Sequence, residues 1–213
     1  TGRWASIEAL KQGVDISMIT SACTARIMSN HLDEREKAWQ LIHSPAVGLS
    51  PDKESFAAMV REALYTGKII AYAQGFSLMQ DASRLYGWNL DLGKIASIFR
   101  AGCIIQAVFL NDITHAFEAE PKPESLIFDG FFLSRINEHQ NSLRQAVSTG
   151  VMNGLPIPAL CNAVSYLDEF RAKAAGANLI QAQRDCFGAH TYERTDREGV
   201  FHHEWRWAND NQH

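Results

Sequence analysis

From about Lys53 to Tyr86 one helical pattern runs almost unbroken, through Phe56, Met59, Val60, Ala63, Leu64, Ile70, Ala73, Phe76, Leu78 and Leu85. Gly67 and Gly75 interrupt it without ending it. A glycine inside a helix costs about 1 kcal/mol. Tertiary packing must offset that cost, through close approach of neighbouring helices. Helical spacing also governs the rest of the chain. A short pattern with Ile7 and Leu10 stops at Gly13, and Ile16, Ile19, Cys23 and Ile27 then recur at intervals of three and four. That second pattern runs on towards Trp39 and Ile42 and stops at Ser44-Pro45. Residues 46–52 form a loop in which Ser50, Pro51 and Asp52 signal a helix start. Asp91 caps a helix expected to reach about Leu110, and Pro121 and Pro123 mark a loop. A helix follows from Phe131 to Val147, with Gly150 and Gly154 after it. Another opens at Pro156 and Pro158 and continues to Gly176, and a last one runs from Asn178 to near Gly188.

The expected fold is therefore all-α: a multi-helix domain over residues 1–190 and an extended C-terminal tail over residues 191–213. Sustained period-two alternation is absent outside the tail, and no Gly-rich fingerprint follows a strand. The chain is not expected to carry its own dinucleotide fold. It begins Thr1-Gly2-Arg3-Trp4 with no initiator Met, which reads as a piece of something longer.

The 213 residues are 46% hydrophobic and 21% charged, which excludes wholesale disorder and allows a sizeable core. Twenty Lys and Arg against 24 Asp and Glu leave a net charge of −4. That balance argues against a nucleic-acid binder working by bulk charge, so an anionic substrate needs a local cationic pocket. Cys23, Cys103, Cys161 and Cys186 are scattered and form no CxxC, as expected of reduced, packed thiols in a cytoplasmic protein. The most apolar stretch, Ala101 to Leu110, contains Gln106 and is too short to span a bilayer, so no membrane segment is expected.

Several residues carry candidate chemistry. Arg26 falls seven after Ile19 and four after Ala22, on or beside the apolar face of its helix. A guanidinium there must be paired, either with phosphate or carboxylate of a ligand or in a structural ion pair. In Gln181 to His190 the residues Ile180, Gln183 and Phe187 share a face with Arg184 at its edge. Gly188 then releases the chain and His190 follows. Arg184 and His190 can converge on one anion; the alternative is a surface arginine and a packed histidine. His202, His203 and Glu204 are adjacent in an extended tail and point to opposite faces, so no metal site is expected. Trp205 and Trp207 alternate with Arg206, as in a tail that docks on a partner subunit or one left exposed. Asp33, Glu34 and Glu36 read as a solvated helix face.

These segments together resemble a known family. Thr1-Gly2-Arg3-Trp4 followed by Ala9-Leu10 is similar to the GTGKW segment of the 6-phosphogluconate dehydrogenase family, and Ser21 to Arg26 to its helix ending in FAR. ALYTGKIIAYAQGF (63–76) resembles ALYASKIISYAQGF, and FRAGCIIQAVFL (99–110) resembles WRGGCIIRSVFL. ANLIQAQRDCFGAHTYE (177–193) matches the long signature ANLIQAQRDYFGAHTYE at all but one position. The resemblance covers about residues 1–203.

The resemblance implies the substrate-binding and dimerisation part of an enzyme that oxidatively decarboxylates 6-phosphogluconate to ribulose 5-phosphate, with NADP in most members and NAD in some. It implies that NADP is bound mainly by a Rossmann domain outside these residues. The family's catalytic lysine and glutamate, and a substrate-binding lysine, fall upstream of Thr1. This chain alone is therefore expected to lack dehydrogenase activity. Residue by residue, Thr1 matches the threonine near the substrate phosphate and Arg26 the phosphate-binding arginine. Arg184 and His190 match the pair that reaches the substrate from the partner subunit of a homodimer, whose tail crosses over. Departures are Gln106 for arginine, Cys186 for tyrosine, Asn111-Asp112 for a Gly-Lys-like pair, and a tail reading FHHEWRWANDNQH for FHTNWTG. Two other readings stand beside this one. One is a non-catalytic helical module that oligomerises or binds phosphorylated acids. The other is the substrate domain of a related β-hydroxyacid dehydrogenase, against which the QRDCFGAH run weighs.

Overall fold

A computed structural model describes residues 2–44, 47–48, 52–173 and 176–205. Ser50, Pro51, Thr1 and Trp207 lie outside these residues. The chain divides into two compact units, residues 1–167 and 168–213.

The first unit is built around the long helix. Helices α1 (Gly2–Gln12), α2 (Ser17–Met28) and α3 (Leu32–Leu41) precede α4 (Lys53–Tyr86). Then come α5 (Leu92–Ile98), α6 (Leu110–Glu118), a 3-10 turn (Leu126–Phe128), α7 (Gly130–Met152) and most of α8 (Pro158–Arg171). The sequence-predicted bounds of α4 are met. Asp52 caps its start by accepting the N–H groups of Glu54 and Ser55, each at 3.0 Å. Gly87, at φ 66°, closes its end in the left-handed region.

At 100° per residue, the buried positions Thr66, Gly67, Ile69, Ile70, Tyr72, Ala73, Gln74 and Phe76 cover more than half of the helix circumference. Such a segment needs partners on several sides. The compensation expected at Gly67 is found: a Cβ there would come 2.8 Å from Leu160 and 3.3 Å from Met18. The glycine lets α2 and α8 approach α4. At Gly75 the nearest neighbour, Ile19, would stand at 3.8 Å, an ordinary contact. Aromatic rings fill the rest of the core. Phe109 meets Tyr65, Tyr72 and Phe132 edge-on at 5.6, 5.5 and 5.7 Å between centroids.

Several helix bounds are corrected, among them that of α8, which ends at Arg171 rather than Gly176. The single pattern from Ile16 to Ile42 is two helices, because the chain turns at 29–31. The helix capped by Asp91 ends at Ile98 rather than Leu110. Gly102 takes φ 67°, and the carbonyls of Ile105 and Gln106 accept the Tyr72 hydroxyl and the Lys68 ammonium instead of helical N–H groups. A separate helix, α6, then starts at Leu110. Finally, α7 continues through Gly150 to Met152.

The second unit holds the end of α8, helix α9 (Ala177–Gly188) and an antiparallel ribbon. The ribbon pairs β1 (Tyr192–Glu193) with β2 (Val200–Phe201), Tyr192 opposite Phe201 and Glu193 opposite Val200. The tail is thus a folded ribbon over its described part rather than one extended strand.

One buried polar group closes the first unit. Ile16, at the start of α2, supplies no side-chain cap. Gln74 in α4, fully buried, accepts the Met18 N–H at 3.1 Å in its place. Gln74→Leu leaves that buried donor unsatisfied, which costs about 1–3 kcal/mol. Urea denaturation followed by helicity should show the midpoint lowered accordingly; an unchanged midpoint would remove Gln74 from this role.

Candidate functional site

The end of α9 concentrates the chemistry of the second unit. Of the residues of α9, Asp185 is the one whose side chain is fully buried. The face shared by Ile180, Gln183 and Phe187 is open: Ile180 and Phe187 are exposed, as is Leu179 beside them. A polar residue therefore faces inward and an apolar stripe outward.

Asp185 is buried because it accepts four hydrogen bonds, two on each oxygen. Its Oδ1 takes the Thr191 N–H at 3.0 Å and His202 Nδ1 at 2.8 Å. Its Oδ2 takes the His203 N–H at 3.0 Å and the Trp205 Nε1–H at 2.9 Å. Burial pushes this carboxyl up, but the bonds from His202, His203 and Trp205 outweigh that and hold it well below the usual carboxylate range. Sequence reasoning assigned Asp185 no role. Its partners are short-range in sequence but follow a turn and a ribbon, so no helical or strand period relates them to it.

The segment carrying His190 is strained. Helix α9 ends with Ala189 at φ 48°, and Thr191 has φ 61°, both in the left-handed region that L residues with a Cβ rarely adopt. Thr191 is held from both sides: its N–H by Asp185, and its carbonyl by the Gln181 side-chain amide at 2.5 Å. Between these strained residues, His190 is exposed, with its ring edge-on to Phe187 at 5.7 Å between centroids. Gly188 makes room for the ring, since a Cβ there would lie 2.9 Å from His190 Cδ2 and Nε2. Arg184 is exposed too, with its Nη1 donating to the Gln181 amide oxygen at 3.3 Å.

Arg26 departs from expectation. It is exposed rather than set against buried apolar residues, because Ile27 and Met28 beside it in the last turn of α2 are themselves exposed. Its Nη1 donates to Ser29 Oγ at 2.5 Å and Asn30 Oδ1 at 2.7 Å. Ser29 in turn donates to the Arg26 carbonyl at 2.7 Å, locking the side chain over the helix end. Arg84, Arg135, Arg171 and Arg194 by contrast pair with Asp81, Glu138, Asp168 and Asp196. Arg26 and Arg184 are oriented by donating to neutral oxygens, which leave the positive charge uncancelled for an anion.

Gln106 has an exposed side chain, and the contact it makes with Lys68, at 2.7 Å, uses its backbone carbonyl. Thr1 lies outside the described residues. His202 serves Asp185, and the His203 ring packs edge-on to Trp205 at 5.1 Å. Among the described residues no group of three or more His, Cys, Asp or Glu could hold a metal ion. All four cysteines are free and half-buried. No helix among the described residues is long and apolar enough to cross a membrane. Nor do the described residues offer a dinucleotide the strand, Gly-rich turn and helix that would receive its pyrophosphate; their strands are the two-residue β1 and β2.

Fold and site together define a helical protein of two units, one built on a single long helix, the other a helix tied to a short ribbon by a buried aspartate. The family model for the 6-phosphogluconate dehydrogenase C-terminal domain matches residues 1–205. The chain belongs to this family, as its C-terminal domain. It is 47% identical over 205 residues to the decarboxylating 6-phosphogluconate dehydrogenase of Lactococcus lactis subsp. lactis (strain IL1403), covering 96% of this chain and 43% of that protein. Its identity to the Staphylococcus aureus (strain N315) enzyme of the same name is 46% over 205 residues, covering 44% of that protein. The chain thus spans less than half the length of these relatives. A Plasmodium falciparum 6-phosphogluconate dehydrogenase, solved in apo form and in complex with its cofactor NADP+ and its substrate 6-phosphogluconate, superposes with a TM-score of 0.90. The two chains are 38% identical over 95% of this chain and 44% of that one.

The lowered pKa of Asp185 sets a pH window. A carboxylate whose folded pKa lies below its unfolded value stabilises fully above the unfolded value. That stabilisation is lost as pH falls through the folded one. The Trp205 Nε1–H resonance should therefore stay in its hydrogen-bonded position from pH 7 to about pH 5 and be lost only below about pH 4. Release already near pH 6 would contradict a paired, ionised Asp185.

Proposed function

We propose that this chain is the substrate-binding and dimerisation domain of a cytoplasmic, NADP-dependent 6-phosphogluconate dehydrogenase. The intact protein would oxidise its substrate by hydride loss from C3 and decarboxylate the resulting 3-keto acid. The observation that carries this reading is the pair of exposed arginines, Arg26 and Arg184, each held in place by neutral oxygens within a family whose members bind a phosphorylated acid. Arg26 and Thr1 take the substrate phosphate. Arg184 and His190 bind the substrate from a second copy of the chain. The base, the acid and the dinucleotide fold belong to other parts of the longer protein. Functionally, residues 1–190 form the helical body and 191–213 the crossing tail. The exposed stripe of Leu179, Ile180 and Phe187 supports a homodimer, because such a stripe is costly to leave in water at about 25 cal/mol per Å².

The test joins the preceding part of the Lactococcus lactis relative in frame to Thr1. Arg26→Ala should raise the KM for 6-phosphogluconate about 30- to 150-fold, the equivalent of about 2–3 kcal/mol for a charge-assisted contact. Arg171→Ala, which removes an exposed pair with Asp168, should leave KM unchanged. An unchanged KM in a folded Arg26→Ala protein would overturn the phosphate assignment. Mixed dimers of one Arg26→Ala and one Arg184→Ala subunit should regain about half of normal activity, since one of their two sites keeps both arginines, so that an equal mixture after full exchange recovers about a quarter. No recovery after verified exchange would refute the shared site.

A further inference from the structure

We propose that Asp185 is a positioning residue for His190, and that the chain after the ribbon acts on the substrate site through it. The proposal rests on the reading of His190 given above but concerns a residue and a route which that reading does not contain.

The geometry of the carboxylate carries the argument. Oδ1 accepts the N–H of Thr191, the residue after His190, together with His202. Oδ2 accepts only groups from beyond the ribbon, the His203 N–H and the Trp205 indole. One rigid group therefore links the strained turn to the chain end. The turn needs such a clamp, because Ala189 and Thr191 both occupy left-handed backbone conformations and Thr191 is β-branched. Without an acceptor for its N–H, Thr191 gains by relaxing to an extended conformation. His190 then leaves its seat over Gly188 and beside Phe187. Gln181 holds only the Thr191 carbonyl and cannot replace the lost acceptor.

The two-plus-two arrangement makes the charge and both oxygens necessary. In Asp185→Asn one oxygen becomes an NH2 group. Whichever way the amide turns, that donor faces at least one fixed N–H donor: Thr191 on one side, where His202 Nδ1 can accept only by changing tautomer, or the His203 N–H and the Trp205 indole on the other. Trp205→Phe is milder, since it keeps a ring and removes a single N–H from Oδ2. The effect should therefore be graded, with Asp185→Asn larger than Trp205→Phe.

The first measurement uses the 213-residue chain by itself. In the unaltered chain, NMR should show cross-relaxation from the His190 ring protons to Phe187 and to the Gly188 α-protons. These contacts should vanish in Asp185→Asn and weaken in Trp205→Phe, with helical circular dichroism retained. A His190 ring that keeps its contacts in Asp185→Asn overturns the proposal, whatever the activity. If Asp185→Asn loses its helices, the Trp205→Phe chain decides by the same contacts.

The second measurement uses the joined protein described above. Asp185→Asn should raise the KM for 6-phosphogluconate about tenfold or more, comparably to His190→Ala, with kcat changed less than about threefold. A purely structural role instead predicts less active protein with KM unchanged, and that result would also overturn the proposal. If His190→Ala itself leaves KM unaltered, the substrate role of His190 fails, while the NMR contacts still judge the link from Asp185 to His190.

Discussion

The middle of α4 is a helix that must be wrapped. Its buried positions from Thr66 to Phe76 span more than half of its surface, and the packing of the first unit follows from covering them. Helix α7 packs along it, α2 lies against its middle at Gly67 and Gln74, α1 reaches its last residue, Tyr86, through Glu8, and α5 and the 3-10 turn also touch it. Where backbone must come close, Gly67 removes the side chain. Where a helix start lacks its own cap, Gln74 supplies one from within the core. Lys68 and Tyr72, one turn apart on the same helix, hold the 105–106 carbonyls and bring Phe109 into the aromatic cluster. A single helix thus sets the position of both local turns and distant rings.

The second unit solves a different problem. Its last helix presents apolar residues outward and an acid inward, which would be unfavourable if the acid were unpaired. Four donors drawn from the turn and the tail meet that acid, and the strained backbone around His190 is held by the same group. The two arginines proposed to bind anion share another feature: each is oriented by amide or hydroxyl oxygens and so keeps its charge.

Much of this was legible in the sequence, and the failures have physical reasons. The bounds of α4 could be read because its period is long and its caps, Asp52 and Gly87, are of the expected chemistry. Arg184 and His190 could be picked out because Gly188 marks a helix end between them. The stretch from Phe99 to Leu110 misled because its apolar residues suit a helix, whereas side chains of a different helix take its carbonyls. Arg26 was placed correctly on α2 but expected to be buried, since periodicity says which residues share a face and not whether that face is covered. Asp185 escaped notice for the complementary reason. Its burial is decided by donors 6 to 20 residues further on, brought round by a turn no period encodes.

That short reach has a kinetic meaning. The bonds to Asp185 close loops of 6, 17, 18 and 20 residues, whereas Met18 meets Gln74 across 56 and Ser142 meets Glu62 across 80. Loop-closure entropy rises with length, so contacts of low sequence separation form early and reform quickly after rupture. The aspartate knot is therefore a fast local element. Its formation needs closure of short loops alone, so the seat of His190 can be built before the long-range contacts that wrap α4 are made.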